Sequence, residues 1–232
     1  MTTQSAGTLA LVGGGEFTAA ARALDADLLA ASGSSEVLVV PAAAAYERPA
    51  ARVEAAREYF ASLGAQVAAL EVYSRHDAED RHREQLKAAR FIYLMDGSPL
   101  HLRSVLKDTP LYDALLAAYH DGAVLAASGA GATLLGDPMV DPRGGAYTVG
   151  LGLVSGVAVF PYHGTTAPHL WQRSKDLLPS NAVLVGLDEG TAIVRAVDGT
   201  WRVDGEGRVT VFRRGGDEVV IGRADALAPL LA

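Results

Sequence analysis

Four short apolar runs recur along the first 130 residues, and segments of helical period separate most of them. They are Ala10-Leu11-Val12, Val37-Leu38-Val39-Val40, Phe91-Ile92-Tyr93-Leu94-Met95 and Ala123-Val124-Leu125-Ala126-Ala127. Uninterrupted runs of this kind suit strands buried on both faces of a sheet. Between them, Pro49 to Leu63 places Ala, Val and Phe on one face and Glu54, Arg57 and Glu58 on the other. Pro110 to His120 starts on a proline and spaces Leu111, Leu115 and Leu116 as one stripe. Strands alternating with helices imply βαβ units. After Gly131 glycine and proline become frequent, followed by a strand-like Val157–Phe160. The segments from Ala192, Gly199 and Arg208 then alternate apolar and polar residues between glycine turns. The expected fold is α/β: a single three-layer α/β/α domain over residues 1–232. Its central sheet is mostly parallel, and an antiparallel C-terminal meander closes one edge.

Composition narrows the function classes. Twenty basic against twenty-seven acidic residues leave a net charge of −7, which gives no footprint for nucleic acid. The chain has no cysteine, which removes disulfides, thiolate nucleophiles and cysteine-ligated zinc. Nowhere do ~18 apolar residues run together, so no membrane span is expected. The opening residues show no basic leader before an apolar stretch, and a cytoplasmic protein is the expectation. The mixed-charge run from Arg75 to Arg83 reads as a solvated helix or loop, and Trp171 and Trp201 read as packing residues.

In an open parallel sheet, ligands bind beyond the carboxyl ends of the strands. Gly13-Gly14-Gly15-Glu16 follows the first run, and its N–H groups suit an oxyanion or phosphate. It is not G-x-G-x-x-G and no phosphate-loop lysine follows, so no nucleotide cofactor is expected. Asp96-Gly97-Ser98 follows the third run, with Asp96 or Ser98 as a helix cap. Ala127-Ser128-Gly129-Ala130-Gly131 follows the fourth, in the strand–turn–helix context of a nucleophile elbow, G-x-S-x-G. Here the central position is Gly129, and the nearby hydroxyl, Ser128, comes one residue early. His163 and His169 with Asp141 offer ligand types for a metal, but two histidines in a loop near an acid are common by chance, and no metal is expected.

With Leu11–Glu16, Tyr93–Leu102, this turn and Gly150–Pro161, the chain resembles the cyanophycinase/dipeptidase E family of serine peptidases nearly end to end. That resemblance implies a class I glutamine amidotransferase-like fold and a Ser–His–acid hydrolase. Carried over position by position, the nucleophile falls on Gly129 and the histidine on Tyr162, with His163 displaced by one. The acid is Asp137 or Asp141, and the oxyanion donors are the N–H groups of Gly97 and Ala130.

The sequence therefore predicts a divergent member with a non-standard or inactive hydrolase-type pocket that takes a small-molecule or peptide ligand, and a homodimer is one arrangement open to it. Two alternatives stand beside this reading. One is an amide or peptide hydrolase using Ser128 with His163 and an aspartate. The other is a small-molecule binder using the Gly13–Gly15 and Gly97 turns, with Gly14, Gly15, Gly97, Ser98 and Ala130 as contacts. Converting Gly129→Ser and Tyr162→His together is expected to restore some hydrolysis, because triad members act as a unit.

Overall fold

The computed structural model describes residues 6–223 and residue 227. Residues 1–5, 224–226 and 228–232 of the expected 1–232 domain lie outside the described residues. The four apolar runs form parallel strands β1 (Leu9–Val12), β2 (Glu36–Val40), β4 (Phe91–Leu94) and β5 (Val124–Ser128), with β3 (Gln66–Ala69) at the edge beyond β2. Helices α1 (Arg22–Ser32) and α2 (Pro49–Ala61) connect β1 to β2 and β2 to β3. Helices α3 (Asp80–Ala88), α4 (Pro99–Leu106), α5 (Pro110–His120) and α6 (Ala130–Leu135) follow.

Strand parity assigns each side chain to a face. Ala10, Val12, Val37, Val39, Phe91, Tyr93, Val124 and Ala126 pack with Leu24 and Leu28 of α1 and Val53 and Phe60 of α2. The alternate set, including Leu9, Leu11, Leu38, Ile92, Leu94 and Leu125, packs against Leu102, Leu106, Leu115 and Leu134 on the other side. Both faces are dry, which is why these strands read as continuous apolar runs. Prolines open α2, α4 and α5, where the missing N–H costs no helical hydrogen bond.

The C-terminal half is more divided than its sequence pattern implies. After the short strands β6 (Gly136–Asp137), β7 (Met139–Val140), β8 (Tyr147–Thr148) and β9 (Val154–Ser155) come β10 (Val157–Phe160), helix α7 (Pro168–Leu177) and β11 (Val183–Leu187). Then follow β12 (Thr191–Arg195), β13 (Trp201–Gly205), β14 (Val209–Arg213) and β15 (Val219–Ile221). Only β12 and β13 close the β1 edge, in the order β13-β12-β1-β5-β4-β2-β3. Strand β14 crosses to β11, in a second sheet ordered β15-β14-β11-β10-β6-β9. Alternation along a strand fixes which face is buried but not which neighbour it pairs with. Among the described residues no helix is long and apolar enough to cross a membrane.

Because β1, β2, β4 and β5 run parallel, the turns after Val12, Val40, Leu94 and Ser128 gather at one edge of the sheet.

Candidate functional site

Gly129 joins β5 directly to α6 with φ 46° and ψ −101°. This conformation is unfavourable for a residue with a Cβ. The turn is held by Gly129 N–H donating to Val12 O at 3.0 Å and Thr133 N–H donating to Gly129 O at 3.0 Å. The space in front of Gly129 is not empty. A Cβ at this position would overlap the Asp96 carboxylate.

The carboxylate is fixed from three directions. Its Oδ1 accepts the N–H groups of both Gly97 and Ala130 at 2.7 Å each. Its Oδ2 accepts the Tyr162 hydroxyl. The two N–H groups expected to serve an oxyanion thus converge on one point, and the chain's own carboxylate stands there. Asp96 is not the cap of α4. Ser98 takes that role, its hydroxyl accepting the His101 N–H at 3.2 Å, so Ser98 is engaged in the helix end.

Tyr162 has φ 56°, and its ring lies where a Cβ of Gly14 would stand. Its hydroxyl is held above the usual phenol range by burial and by the adjacent Asp96 carboxylate. Within the two turns, Gly13 N–H donates to Thr191 O and Gly97 N–H donates to Asp96. Tyr162 thus packs closely on the first turn, whose Gly14 has no room for a side chain.

The structure does not bring Ser128 and His163 together. Ser128 shares strand parity with Val124 and Ala126, so it points into the α1–α2 layer beside Tyr93, wholly buried. Its hydroxyl makes no hydrogen bond to a base. His163 turns the other way and packs edge-on to Trp171 at 4.3 Å, with Nδ1 3.7 Å from Asp188. Burial holds its imidazole below the usual range. Ser128 ends β5, where a one-residue offset reverses the side-chain direction, and His163 lies in the turn after β10, directed away from Tyr162 by the positive φ of that residue.

The two candidate acids are differently placed. Asp137 accepts the Gly150 N–H at 3.1 Å. Asp141 lines the cleft beside Tyr162, but its carboxylate is paired with Arg143 at 3.0 Å. Neither hydrogen-bonds the Tyr162 hydroxyl. Among the described residues no group of three or more metal-ligating side chains converges.

Glu16 and Asp96 are two residues that sequence reasoning left unused. Glu16 Oε2 accepts the Asp96 N–H at 2.9 Å, and Oε1 pairs with Arg52 at 2.7 Å. Burial pushes the Glu16 carboxyl up to about 7 against the pull of Arg52. Asp25, buried in the α1–α2 layer, is also pushed up to about 7 by burial, against a hydrogen bond from the Tyr59 hydroxyl. The signal for Asp96 lay in a complementary pair: an acid at one strand end and a missing side chain at the neighbouring strand end.

Glu16 and Asp25 give the protein a pH signature. Their folded values lie above the ordinary 4.5 and 3.8, so the folded state binds more protons than the unfolded state between about pH 4 and 7. Their contribution is present at the acid end of that window and is lost as pH rises to about 7. His163, held low, acts in the opposite sense below its ordinary value, so the informative quantity is the difference from Asp25→Asn. The gap in urea unfolding free energy between Asp25→Asn and wild type is expected to move in favour of the variant by on the order of 2–4 kcal/mol from pH 4 to pH 8. A gap independent of pH would show that Asp25 titrates normally.

Comparison with known proteins agrees with this architecture. The sequence model of Peptidase family S51 matches residues 9–201. A cyanophycinase of Trichormus variabilis is 28% identical over 218 residues, covering 87% of this chain and 72% of its own. A peptidase from an acI-B1 Actinobacterium, known from a crystal structure, superposes with a TM-score of 0.84 at 27% identity, covering 97% of each chain. A peptidase E protein from Listeria monocytogenes EGD-e shares the fold, with a TM-score of 0.63 at 17% identity, covering 90% of this chain and 98% of its own.

Proposed function

The chain belongs to Peptidase family S51, and from that premise we propose that its pocket binds a small molecule or peptide without hydrolysing it. The observation that carries this reading is the Asp96 carboxylate. It fills the space into which a nucleophile at position 129 would project, and it takes both N–H groups that would stabilise an oxyanion. Acyl transfer needs a nucleophile beside a base and free donors for developing negative charge. At this turn there is no nucleophile, the group in the base's place is a phenol, and the donors are engaged. Tyr162 instead donates its hydroxyl to the Asp96 carboxylate that stands in front of Gly129.

Covalent labelling and turnover test the proposal together. The purified protein is expected to resist a fluorophosphonate at every serine. It is also expected to hydrolyse neither aspartyl peptides nor activated esters above the uncatalysed rate. Stoichiometric labelling of Ser128, or saturable hydrolysis abolished by Ser128→Ala, would overturn it.

A further inference from the structure

Resting on that pocket reading, we infer that the ligand is a small organic cation, a primary ammonium carried on a compact apolar body. Two adjoining hollows of about 100 and 140 Å³ share Thr133, Pro142, Pro161 and Tyr162 and form one cleft in front of the β5–α6 turn. Even together they are smaller than a drug-sized pocket, so the occupant must be compact. Their walls are mainly apolar, with Val140, Phe160 and Leu170 on the outer side. Among the described residues no lysine, arginine or histidine lines either hollow, and the charged groups that do are Asp96 and Asp141.

Those two carboxylates are not equivalent. Asp141 is already paired with Arg143. Asp96 has no ion pair among the described residues, and the nearby guanidinium of Arg52 is held between Glu16 and Glu47. A carboxylate offers about four acceptor positions. Three on Asp96 are filled, by Gly97, Ala130 and Tyr162, which leaves one on Oδ2. Asp96 is partly exposed where it lines the cleft. An unpaired charge at the floor of an apolar cleft is poorly solvated, and a cation with an N–H donor supplies both missing interactions. A carboxylate ligand meets the opposite conditions, since its charge is repelled and the N–H pair is already taken. A neutral ligand fills the space and leaves the charge unpaired.

Benzylamine, benzyl alcohol and benzoate separate these cases at nearly constant shape. Calorimetric titration of the full chain at pH 7 is expected to show saturable benzylamine binding that raises Tm and weakens with salt. Benzyl alcohol and benzoate are expected to bind at least roughly 10-fold more weakly. Asp96→Asn keeps the side-chain shape and an oxygen for the two N–H groups, and its folding is checked by circular dichroism. It is expected to weaken benzylamine binding by a similar factor. Absence of benzylamine binding, equal binding of benzoate or the alcohol, or benzylamine binding unchanged in folded Asp96→Asn would each overturn the inference. Hydrolysis is read separately. Amine binding by a protein that also labels with fluorophosphonate would sink the non-hydrolytic reading and leave the ligand class standing.

Discussion

Adding Asp96→Ala to the pair Gly129→Ser and Tyr162→His is expected to produce ester or amide hydrolysis ~10²-fold or more above that of the pair alone. The sequence alone predicts that the pair restores some hydrolysis, since it rebuilds a nucleophile and a base in the positions that the resemblance implies. The structure shows a third obstacle. A serine Cβ at position 129 would run into the Asp96 carboxylate, and the Gly97 and Ala130 N–H groups would still be occupied by Asp96 Oδ1. A resident negative charge there opposes the oxyanion of the tetrahedral intermediate. Removing it frees both donors and the space. The pair alone is therefore expected to stay near background. Initial rates on p-nitrophenyl acetate and an aspartyl anilide, for the pair and the triple variant, decide the matter. Equal rates in the two folded variants would show that Asp96 is not the obstacle.

Gly129→Ala is expected to be among the most destabilising single methyl additions in the chain, at ~3–5 kcal/mol. About 1–3 kcal/mol comes from placing a Cβ residue at φ 46°, ψ −101°. The rest comes from Asp96. The added methyl must displace the carboxylate from two N–H groups and the Tyr162 hydroxyl, and a hydrogen bond to a charged group contributes about 1.5–3 kcal/mol. In an Asp96→Ala background those bonds are already gone, so only the backbone part remains. Urea unfolding of the four proteins yields the coupling directly, and additive effects would mean that residues 96 and 129 do not compete for the same space.

Much of the fold was legible because both faces of the central sheet are covered. Val37–Val40, Phe91–Leu94 and Val124–Ala127 carry the signature of doubly buried strands, and Pro110–His120 begins and ends as a helix where its proline and leucine stripe imply. The division of the C-terminal strands was not legible. β12 and β14 are alike, each a five-residue run buried over its first residues and ending on an arginine, yet one pairs with β1 and the other with β11, a choice made by tertiary packing. At the site, the turn at Gly129 and the convergence of Gly97 and Ala130 N–H groups follow from the position of small residues after parallel strands. What fills the turn did not follow. Asp96 next to Gly97 and Ser98 looks like any helix-capping triplet, and its rotamer is set by donors that come from 34 residues later in the chain and from Tyr162. The opposite pointing of Tyr162 and His163 likewise depends on the positive φ of Tyr162, which a tyrosine does not advertise.

The occupancy of the N–H pair by Asp96 is the centre of this account, and amide proton resonances report it most directly. In wild-type protein the Gly97 and Ala130 amide protons, each donating to a carboxylate oxygen at 2.7 Å, are expected far downfield. In folded Asp96→Ala both are expected to move upfield together, while the Gly129 amide, which donates to Val12 O, keeps its shift. Gly97 and Ala130 resonances that stay in place when Asp96 loses its carboxylate would contradict the account.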